Sequence, residues 1–234
     1  MKQLPHLFAA LWLMAMPLFA QSGHSGPVVV ELFTSQGCSS CPPADKLLHA
    51  LTERDDVIAL ALHVDYWDYI GWKDEFADPR NADRQRAYAT VAGRRSIYTP
   101  EMIINGVTDI VGAKPMEISK AIALHKEQPA VAKVSIRRKG DKIQIEAETL
   151  HRSAGPMIVQ IVRYKPSREA RITRGENAGH TIVYANVTQD WKILGEWDGK
   201  KPLSMVTTAP GQDPVVVLIQ AENMGPILAA AHIK

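Results

Sequence analysis

The sequence predicts an α/β domain followed by a mostly-β, sandwich-like C-terminal domain. Strand and helix signals alternate over residues 27–127, which is typical of an α/β unit. The only two cysteines of the chain, Cys38 and Cys41, lie where the first strand turns into the first helix. Over residues 131–234 almost every segment reads as a strand, and several show the alternating pattern. These two ranges are the predicted domains.

Residues 1–20 are predicted to be a secretory signal peptide. Lys2 precedes a short apolar run, and Ala20 precedes a polar stretch, which is the usual order of such a segment. The apolar run is too short to span a bilayer comfortably. We expect cleavage after Ala20 and a periplasmic or secreted protein without stable membrane insertion once the signal is removed. An N-terminal anchor that is not cleaved is the alternative.

The composition argues against one broad class of function. The 234 residues are 46% hydrophobic and 22% charged, which is ordinary for a globular protein, and the formal net charge is +2 without a basic block. Nucleic-acid binding therefore has no electrostatic support, and no nucleic-acid partner is expected.

The elements of the first domain follow in order along the chain. Residues 28–33 read as a buried strand, and helical spacing of apolar residues begins at Ala44. The continuous apolar run at residues 57–64 suits a strand buried on both faces. Residues 77–92 read as a helix, with Pro79 near its start.

Two strands and a helix complete this domain. Pro100 opens a short strand, an Asn-Gly turn signal follows, residues 107–111 form the return strand, and residues 116–126 form the last helix. The order β-α-β-α-β-β-α, with a CxxC pair at the first strand-to-helix turn, is the thioredoxin-like arrangement. In that arrangement a cis-proline faces the cysteines, so we predict a cis Thr99–Pro100 bond. A trans-proline at a strand start is the alternative.

Further strand signals, joined by polar turns, follow the last predicted helix. Their spacing is typical of a small antiparallel sandwich. The predicted strands are residues 134–136, 143–147, 157–164, 181–187, 191–197 and 215–220.

The two cysteines favour redox chemistry over a structural role. A bridge between residues so close in the chain closes almost no loop and adds little stability, and two thiolates leave a tetrahedral zinc site half built. We expect Cys38 to be the exposed nucleophile at the helix N-terminus, which favours its thiolate, and Cys41 to be the buried resolving thiol. Metal binding and an inert local disulfide are the alternatives.

Four other side chains are predicted to assist this pair. His63 and Asp65 follow the second strand, at the sheet edge that borders the ligand crevice of open α/β folds, where they could shuttle protons. Asp45 lies four residues after Cys41 and could accept its proton, and Arg95 could raise the local positive potential. The alternatives are a structural loop with a satisfied histidine, an acidic residue that favours the helix dipole, and a solvated loop charge.

Two further segments can lie near the cysteines. The polar, glycine-rich loop at residues 174–180 is not a phosphate loop, because no helix follows it. Either it touches the first domain and covers the cysteines, or it is a plain connection. The aromatic residues Tyr66, Trp67, Tyr69 and Trp72 form either a wall for an apolar or peptide substrate or the packing of a lid.

Four segments carry specific motifs: VVELFTSQGCSSCPPAD at residues 29–45, HVDYWDYIGW at 63–72, YTPEMIING at 98–106 and RGENAG at 174–179. Together they resemble a bacterial exported family that is catalogued only as a domain of unknown function with a thioredoxin-like fold. The resemblance implies a thioredoxin-like domain followed by a β-rich domain, without an established substrate. By the wider thioredoxin-like pattern, Cys38 and Cys41 match the redox pair and Pro100 matches the cis-proline. The chain departs from thioredoxin because it lacks the Trp before the first cysteine and the Gly-Pro between the two.

The function predicted from the sequence is that of an exported thiol-disulfide oxidoreductase that works through a mixed disulfide and needs no cofactor. Its partner is expected to be a protein or a small thiol or disulfide. Two alternatives remain open. One is a Cu(I) carrier in which Cys38, Cys41 and His63 hold the soft ion, and the other is a non-enzymatic binding module that keeps the fold as a scaffold.

Overall fold

The computed structural model describes residues 26–150 and 155–234. The predicted signal peptide, residues 1–20, lies outside the described residues. Within these two ranges, no helix is long and apolar enough to cross a membrane.

The N-terminal part alternates strands and helices in the order predicted from the sequence. Its elements are β1 (Val28–Thr34), α1 (Pro42–Leu51), β2 (Val57–His63), a 3-10 turn (Asp68–Ile70), α2 (Pro79–Val91), β3 (Glu101–Ile104), β4 (Thr108–Val111) and α3 (Pro115–Lys126). The described elements of the C-terminal part are all strands, also as predicted. They are β5 (Ala132–Lys139), β6 (Lys142–Thr149), β7 (Met157–Arg171), β8 (Thr181–Trp197), β9 (Leu203–Thr208), β10 (Val215–Ala221) and β11 (Ile227–Ile233).

Most strands join one mixed sheet of eight strands, in the order β11-β10-β7-β8-β2-β1-β3-β4. Strand β1 pairs with β2 in parallel and with β3 in antiparallel orientation. The N-terminal and C-terminal strands meet where β2 and β8 pair in parallel, through Ala61 and Val187. The protein is therefore mostly β, and its main sheet is shared between the two parts that the sequence pattern separates.

Strands β1 and β2 are buried along their whole length. Alternate residues of β1 point to opposite faces of the sheet: Val30 and Leu32 pack with α1 and α3, whereas Val29 and Phe33 pack with α2. Helices thus cover both faces of these strands, which explains why their sequences are continuous apolar runs.

Helix α2 is attached to the sheet by a buried polar cluster. Arg84 Nε donates to Glu31 Oε1 (2.6 Å), and the Tyr88 hydroxyl donates to Glu31 Oε2 (2.7 Å). Arg84 also donates to Gln220 Oε1 on β10 (3.2 Å). Removing one partner of a buried ion pair costs about 3–5 kcal/mol. The cluster therefore holds α2 over β1, the strand that leads to the cysteines.

The three-stranded sheet β5-β6-β9 packs against the C-terminal strands of the main sheet. Ile143 and Ile145 of β6 share a buried apolar cluster with Val159 of β7 and Val217 of β10. Two sheets that face each other in this way form a sandwich-like unit, as the strand pattern predicts.

Strands β7 and β8 form a long hairpin, with 15 and 17 residues in its arms. The half of the hairpin nearest its closed end packs against α1, since Ala170 and Tyr184 lie in one apolar cluster with Leu48. Asn186, with a φ of 47°, lies between the half of the hairpin that packs on α1 and Val187, which pairs with β2. Asn tolerates this left-handed conformation better than most residues, and here it marks the point where β8 passes from packing on α1 to pairing with β2.

Gly112 lies where the start of β3 meets α1, and Gly112→Ala is expected to destabilise the protein. A Cβ at this position would lie 2.8 Å from Pro100 Cβ and 3.0 Å from Ala44 Cβ. Neither neighbour has a flexible side chain, so the backbone must shift, at a cost of about 1–3 kcal/mol in the free energy of unfolding. Urea unfolding measures this loss. Ala113→Ser, at the exposed next position, should stay within about 0.5 kcal/mol of the wild type, and equal stability of all three proteins would contradict the packing.

Candidate functional site

Cys38 and Cys41 form a disulfide, with a Cα–Cα distance of 5.4 Å. Cys41 is the N-cap residue of α1, and Pro42 and Pro43 occupy the first helical positions. Cys38 N donates to Ser35 O (3.1 Å), and Cys41 N donates to Cys38 O (3.2 Å). The first cysteine therefore lies in a turn of its own between β1 and the helix.

The expectation that Cys38 lies at the start of the helix is wrong by one turn. Helix α1 begins at Pro42. A proline is favoured at this first position because the N–H that it lacks would have no partner within the helix. The two prolines carry no N–H, and Ala44 N donates to Cys41 O (2.8 Å). Hydrogen-bond donors for a Cys38 thiolate must therefore come from outside the first helical turn. The Ser40 hydroxyl is such a donor, 3.4 Å from Cys38 Sγ.

The expectation that Cys38 is exposed is also wrong. Cys38 is 1% exposed, and Cys41 is 0% exposed. The amide nitrogen of Asn177, itself buried, donates to Cys38 O (3.0 Å) and to Gln36 O (2.9 Å). A side chain from the C-terminal part of the chain thus packs directly on the turn that carries the first cysteine.

Asn177 belongs to the closed end of the β7–β8 hairpin, residues 172–180, which we call the cap loop. Glu176 of the cap loop also accepts a long hydrogen bond from Ser39 N (3.4 Å). Of the two interpretations of this loop, contact with the cysteine segment is the one found in the structure. Because 139 residues separate Cys38 from Asn177, no local sequence pattern could indicate that Cys38 is covered.

An aromatic segment joins the cysteine turn to Pro100. A Cβ on Gly37 would lie 3.1 Å from both Trp67 Cβ and Ile70 Cδ1, so the cysteine turn packs closely against this segment. Trp67 Nε1 donates to Thr99 Oγ1 (2.7 Å), next to the proline. Tyr69 stacks on Trp67 with ring centroids 6.3 Å apart and is 81% exposed. Trp67 therefore packs the site together, while Tyr69 presents an apolar ring to solvent beside it.

The Thr99–Pro100 peptide bond is cis, as predicted. Glu101, the first residue of β3, pairs with Phe33 of β1. This register places the buried Pro100 beside the end of β1, where the chain continues toward the cysteines.

Arg95 and Asp65 are not drawn into the site. Arg95 is exposed, and its neighbour Arg94 instead forms an ion pair with Glu101 Oε1 (2.6 Å). Asp65 is half-buried and accepts a hydrogen bond from Asp68 N through its backbone oxygen (3.0 Å). In the part of the chain that the structure describes, neither the Arg95 guanidinium nor the Asp65 carboxylate forms a hydrogen bond or an ion pair, so their predicted roles gain no geometric support.

Buried polar side chains connect the cysteine segment to the end of β2. His63 Nδ1 lies 2.7 Å from Asp74 Oδ2, which also accepts from Gln36 N (2.8 Å). Because Asp74 acts as the acceptor, Nδ1 of His63 carries a proton. Thr34 Oγ1 donates to Asp45 Oδ1 (2.8 Å). Two buried atoms, Asp45 Oδ2 and His63 Nε2, have no hydrogen-bond partner among the described residues.

Asp45 is a titratable group whose protonation changes near neutral pH. Burial raises the pKa of its carboxyl to about 7, against the lowering effects of the nearby His63 and the hydrogen bond from Thr34, and the charge of Asp74 adds to the rise. The carboxyl predicted to accept a proton is therefore able to gain or lose one under physiological conditions.

Asp74 is the residue that sequence reasoning missed. It follows β2 in a segment without helical or strand periodicity, so no pattern marked it as buried. The only available signal was its position two residues after the aromatic segment that ends at Trp72.

The residues expected for a Cu(I) site are not assembled in the disulfide form. The sulfurs of Cys38 and Cys41 are bonded to each other, and Nδ1 of His63 is hydrogen-bonded to Asp74. Within residues 26–150 and 155–234, no group of three or more His, Cys, Asp or Glu side chains is arranged to hold a metal ion.

The fold and the site define a class of mostly-β proteins. Their main sheet mixes parallel and antiparallel strands, and a CxxC disulfide follows β1. The chain belongs to the family described as a protein of unknown function (DUF1223), whose model matches residues 29–220. The resemblance found from the sequence motifs, to a family catalogued only as a domain of unknown function, is thereby confirmed.

Two solved structures resemble the chain over most of its length. A protein from Agrobacterium tumefaciens is 30% identical, with a TM-score of 0.78 and coverage of 90% of this chain and 95% of that one. HBP35 of Porphyromonas gingivalis is 16% identical, with a TM-score of 0.60 and coverage of 90% of this chain and 75% of its own, which is a likeness of fold alone. No curated protein matches the chain.

Asp45 is expected to make the protein less stable as the pH rises from about 4 to about 7. Below the ordinary Asp pKa of 3.8, the folded and unfolded states both hold the proton. Between 3.8 and about 7 only the folded state holds it, so ionisation increasingly favours unfolding. Above this range the penalty is constant, on the order of 4 kcal/mol for a pKa shift of about three units.

Asp45→Asn should remove this part of the pH dependence and raise stability at neutral pH. Urea unfolding of the oxidised protein between about pH 4 and pH 8 measures it. Asp55→Asn, at a fully exposed side chain, is the matched control and should follow the wild-type curve. Parallel curves for all three proteins would show that the Asp45 carboxyl is not the titrating group.

Proposed function

We propose that the protein is an exported thiol-disulfide oxidoreductase and that residues 27–127 form a thioredoxin-like domain. Support for the domain comes from the order β1-α1-β2-α2-β3-β4-α3, with α1 and α3 on one face of the sheet and α2 on the other. The CxxC pair follows β1 and Pro100 precedes β3, which are the positions that this arrangement gives to the redox pair and its proline. Export rests on the signal peptide predicted for residues 1–20.

One observation carries the redox proposal: the only two cysteines close a ring that crosslinks nothing distant. Cys38 and Cys41 are three residues apart, and a bridge over so short a loop removes little entropy from the unfolded chain. A structural role is therefore a poor explanation of the pair. Thiol-disulfide exchange through a mixed disulfide uses two thiols at such a spacing. The substrate class is a thiol or disulfide of a protein or a small molecule, and the chemistry needs no cofactor.

In the reducing direction, the Cys38 thiolate attacks one sulfur of a substrate disulfide. The substrate S–S bond breaks, its second sulfur leaves as a thiolate, and a mixed disulfide joins Cys38 to the substrate. The Cys41 thiolate then attacks Cys38 Sγ, which forms the intramolecular disulfide and releases the remaining substrate sulfur as a thiolate. Two electrons pass from the protein dithiol to the substrate, and each released thiolate takes up a proton. In the oxidising direction the same steps run backwards.

Asp45 is the proposed acceptor of the Cys41 proton. It lies one helical turn after Cys41, and its N–H donates to Cys41 O (3.0 Å). Its buried Oδ2 atom has no hydrogen-bond partner in the described ranges and is free to take a proton. A pKa of about 7 is near the pH of the reaction, which is where a general base works best. His63, held by Asp74, supports this role because its charge lowers the pKa of Asp45.

A second candidate is a binding module that keeps the fold of a redox protein as a scaffold. It is favoured by the burial of both sulfurs, because Cys38 at 1% exposure cannot be reached unless part of the protein moves. The reduction potential separates the two candidates. A potential below about −300 mV, in the range of structural disulfides that resist reduction, would support the module.

Cys41→Ser is expected to accumulate mixed disulfides, because Cys38 can still attack a substrate but nothing resolves the product. Non-reducing electrophoresis and intact-mass measurement after mixing with a disulfide substrate detect them. Cys38→Ser is the matched control and should accumulate far less. Full turnover by Cys38→Ser, or the same yield of adduct from both variants, would contradict the assignment of the nucleophile.

Ser40→Ala is expected to raise the pKa of the Cys38 thiol. The Ser40 hydroxyl is 3.4 Å from Cys38 Sγ, and donation to a thiolate stabilises the charged form. A rise of about one unit corresponds to a tenfold smaller thiolate fraction at neutral pH. Thiolate absorbance against pH, measured in Cys41→Ser protein, reports this pKa. Ser39→Ala, at an exposed side chain without a hydrogen bond to the sulfur, should leave it unchanged, and equal values for the two variants would remove the role of Ser40.

A further inference from the structure

A substrate can reach Cys38 only if the cap loop moves. The amide of Asn177 donates to Gln36 O and Cys38 O, and the carboxylate of Glu176 accepts from Ser39 N. These contacts place the cap loop on the backbone of the turn whose two cysteines are both buried. The proposed chemistry therefore needs an open state in which two carbonyls and one N–H of the cysteine turn lose these partners.

The cap loop is a preformed unit rather than an extension of the cysteine turn. Inside it, Gly179 N donates to Ile172 O (2.9 Å), and Ile172 N donates to His180 O (2.9 Å). These hydrogen bonds do not involve the cysteine segment, so they persist when the loop lifts. Opening costs the polar contacts that Asn177 and Glu176 make with the cysteine turn, together with the packing of Gly175 against Trp72 and Ile70.

Asn177 and Glu176 provide the cysteine turn with N–H donors and an oxygen acceptor, the same kinds of group that a polypeptide main chain carries. The Asn177 amide supplies N–H donors to two carbonyls, and Glu176 supplies an oxygen acceptor to an N–H. An extended peptide carries N–H donors and carbonyl acceptors in alternation and can replace both. A small disulfide that lacks amide groups leaves the carbonyls of Gln36 and Cys38 unpaired, and burying them without partners is unfavourable.

Glu176 adds an electrostatic effect to this coverage. Its carboxylate hydrogen-bonds to the backbone of Ser39, the residue next to Cys38. A negative charge at this place opposes the formation of a Cys38 thiolate. Replacing the carboxylate by a neutral peptide carbonyl keeps the hydrogen bond and removes the repulsion, so a bound peptide both uncovers the nucleophile and favours its reactive form.

We propose that the cap loop occupies the position of a substrate main chain, so that the cysteine pair reacts readily with extended polypeptide segments and slowly with small disulfides. This inference rests on the proposed function and specifies its substrate class, disulfides held in extended polypeptide. Asn177 and Glu176 act as positioning residues, because they control access to Cys38 without entering the exchange of sulfur bonds.

The test compares the reduced wild-type protein with Asn177→Ala and with Arg174→Ala, an exposed cap-loop position without a hydrogen bond to the cysteine turn. One substrate is bis(2-hydroxyethyl) disulfide, and the other is an unstructured peptide with one internal disulfide. Asn177→Ala should react roughly tenfold faster with the small disulfide, since two hydrogen bonds that hold the cap loop are lost. Its rate with the peptide should rise by a similar factor, because both reactions start from the same closed state. Each protein should reduce the peptide roughly tenfold faster than the small disulfide, since only the peptide replaces the lost hydrogen bonds, and Arg174→Ala should match the wild type with both.

Each outcome decides a different point. Equal rates of all three proteins with the small disulfide overturn the cap-loop inference and leave the proposed function standing, provided that both substrates are reduced. A peptide rate no higher than the small-disulfide rate in the wild-type protein overturns the assignment of polypeptide as the substrate class. Failure of all three folded proteins to react with either substrate overturns the proposed function and the inference together.

Glu176→Gln supplies a second measurement if Asn177→Ala does not fold. The change keeps the acceptor oxygen and removes the charge, so reaction of reduced Cys38 with iodoacetamide below its pKa should become severalfold faster. Glu169→Gln, which removes the same charge from β7 outside the cap loop, is the matched control and should not change the rate. Equal alkylation rates of the two variants overturn the electrostatic part of the inference.

Discussion

One buried carboxylate, that of Asp74, holds together the segments on which the cysteine site depends. It accepts hydrogen bonds from Gln36 N, two residues before Cys38, from Phe76 N, and from His63 at the end of β2. The cysteine segment, the end of a central strand and the loop that follows are thereby tied to one group. Because a buried charge without partners is costly by several kcal/mol, these segments cannot separate without a large loss of stability.

The same arrangement gives Asp45 a different role. Asp74 has three donors, whereas Asp45 has one hydrogen bond, from Thr34. Burial with so few donors keeps its proton bound up to about pH 7. One carboxylate therefore holds the backbone in place, and its neighbour is able to exchange a proton next to Cys41. A carboxyl that costs stability at neutral pH is a frequent feature of functional sites, which supports a chemical rather than a structural role for this pair.

Local sequence patterns predicted the order of the helices and strands. They did not predict the contacts between segments that are distant in the chain. The three α-helices of the described residues begin at prolines, Pro42, Pro79 and Pro115, so their starts carried clear sequence signals. The cis bond before Pro100 was predicted from the thioredoxin-like order of the elements, in which this position holds a cis-proline. The pairing of β2 with β8, the partners of Asp74 and the burial of Cys38 depend on contacts between segments that no periodicity connects. Cys38, which the sequence predicts to be exposed, is accordingly buried.

The long hairpin shows why the C-terminal part belongs to the site and which portion of it can move. Thr188 Oγ1 donates to Ala61 O (3.0 Å), and the Tyr184 ring lies 4.7 Å from the His63 ring, so residues 184–188 of the hairpin are attached to β2. At its closed end, the cap loop forms hydrogen bonds to Cys38 and its neighbours, and Gly175 lies against Trp72 and Ile70. The pairing that joins the two parts, of Ala61 with Val187 and of Thr188 with Ala61, lies outside the cap loop.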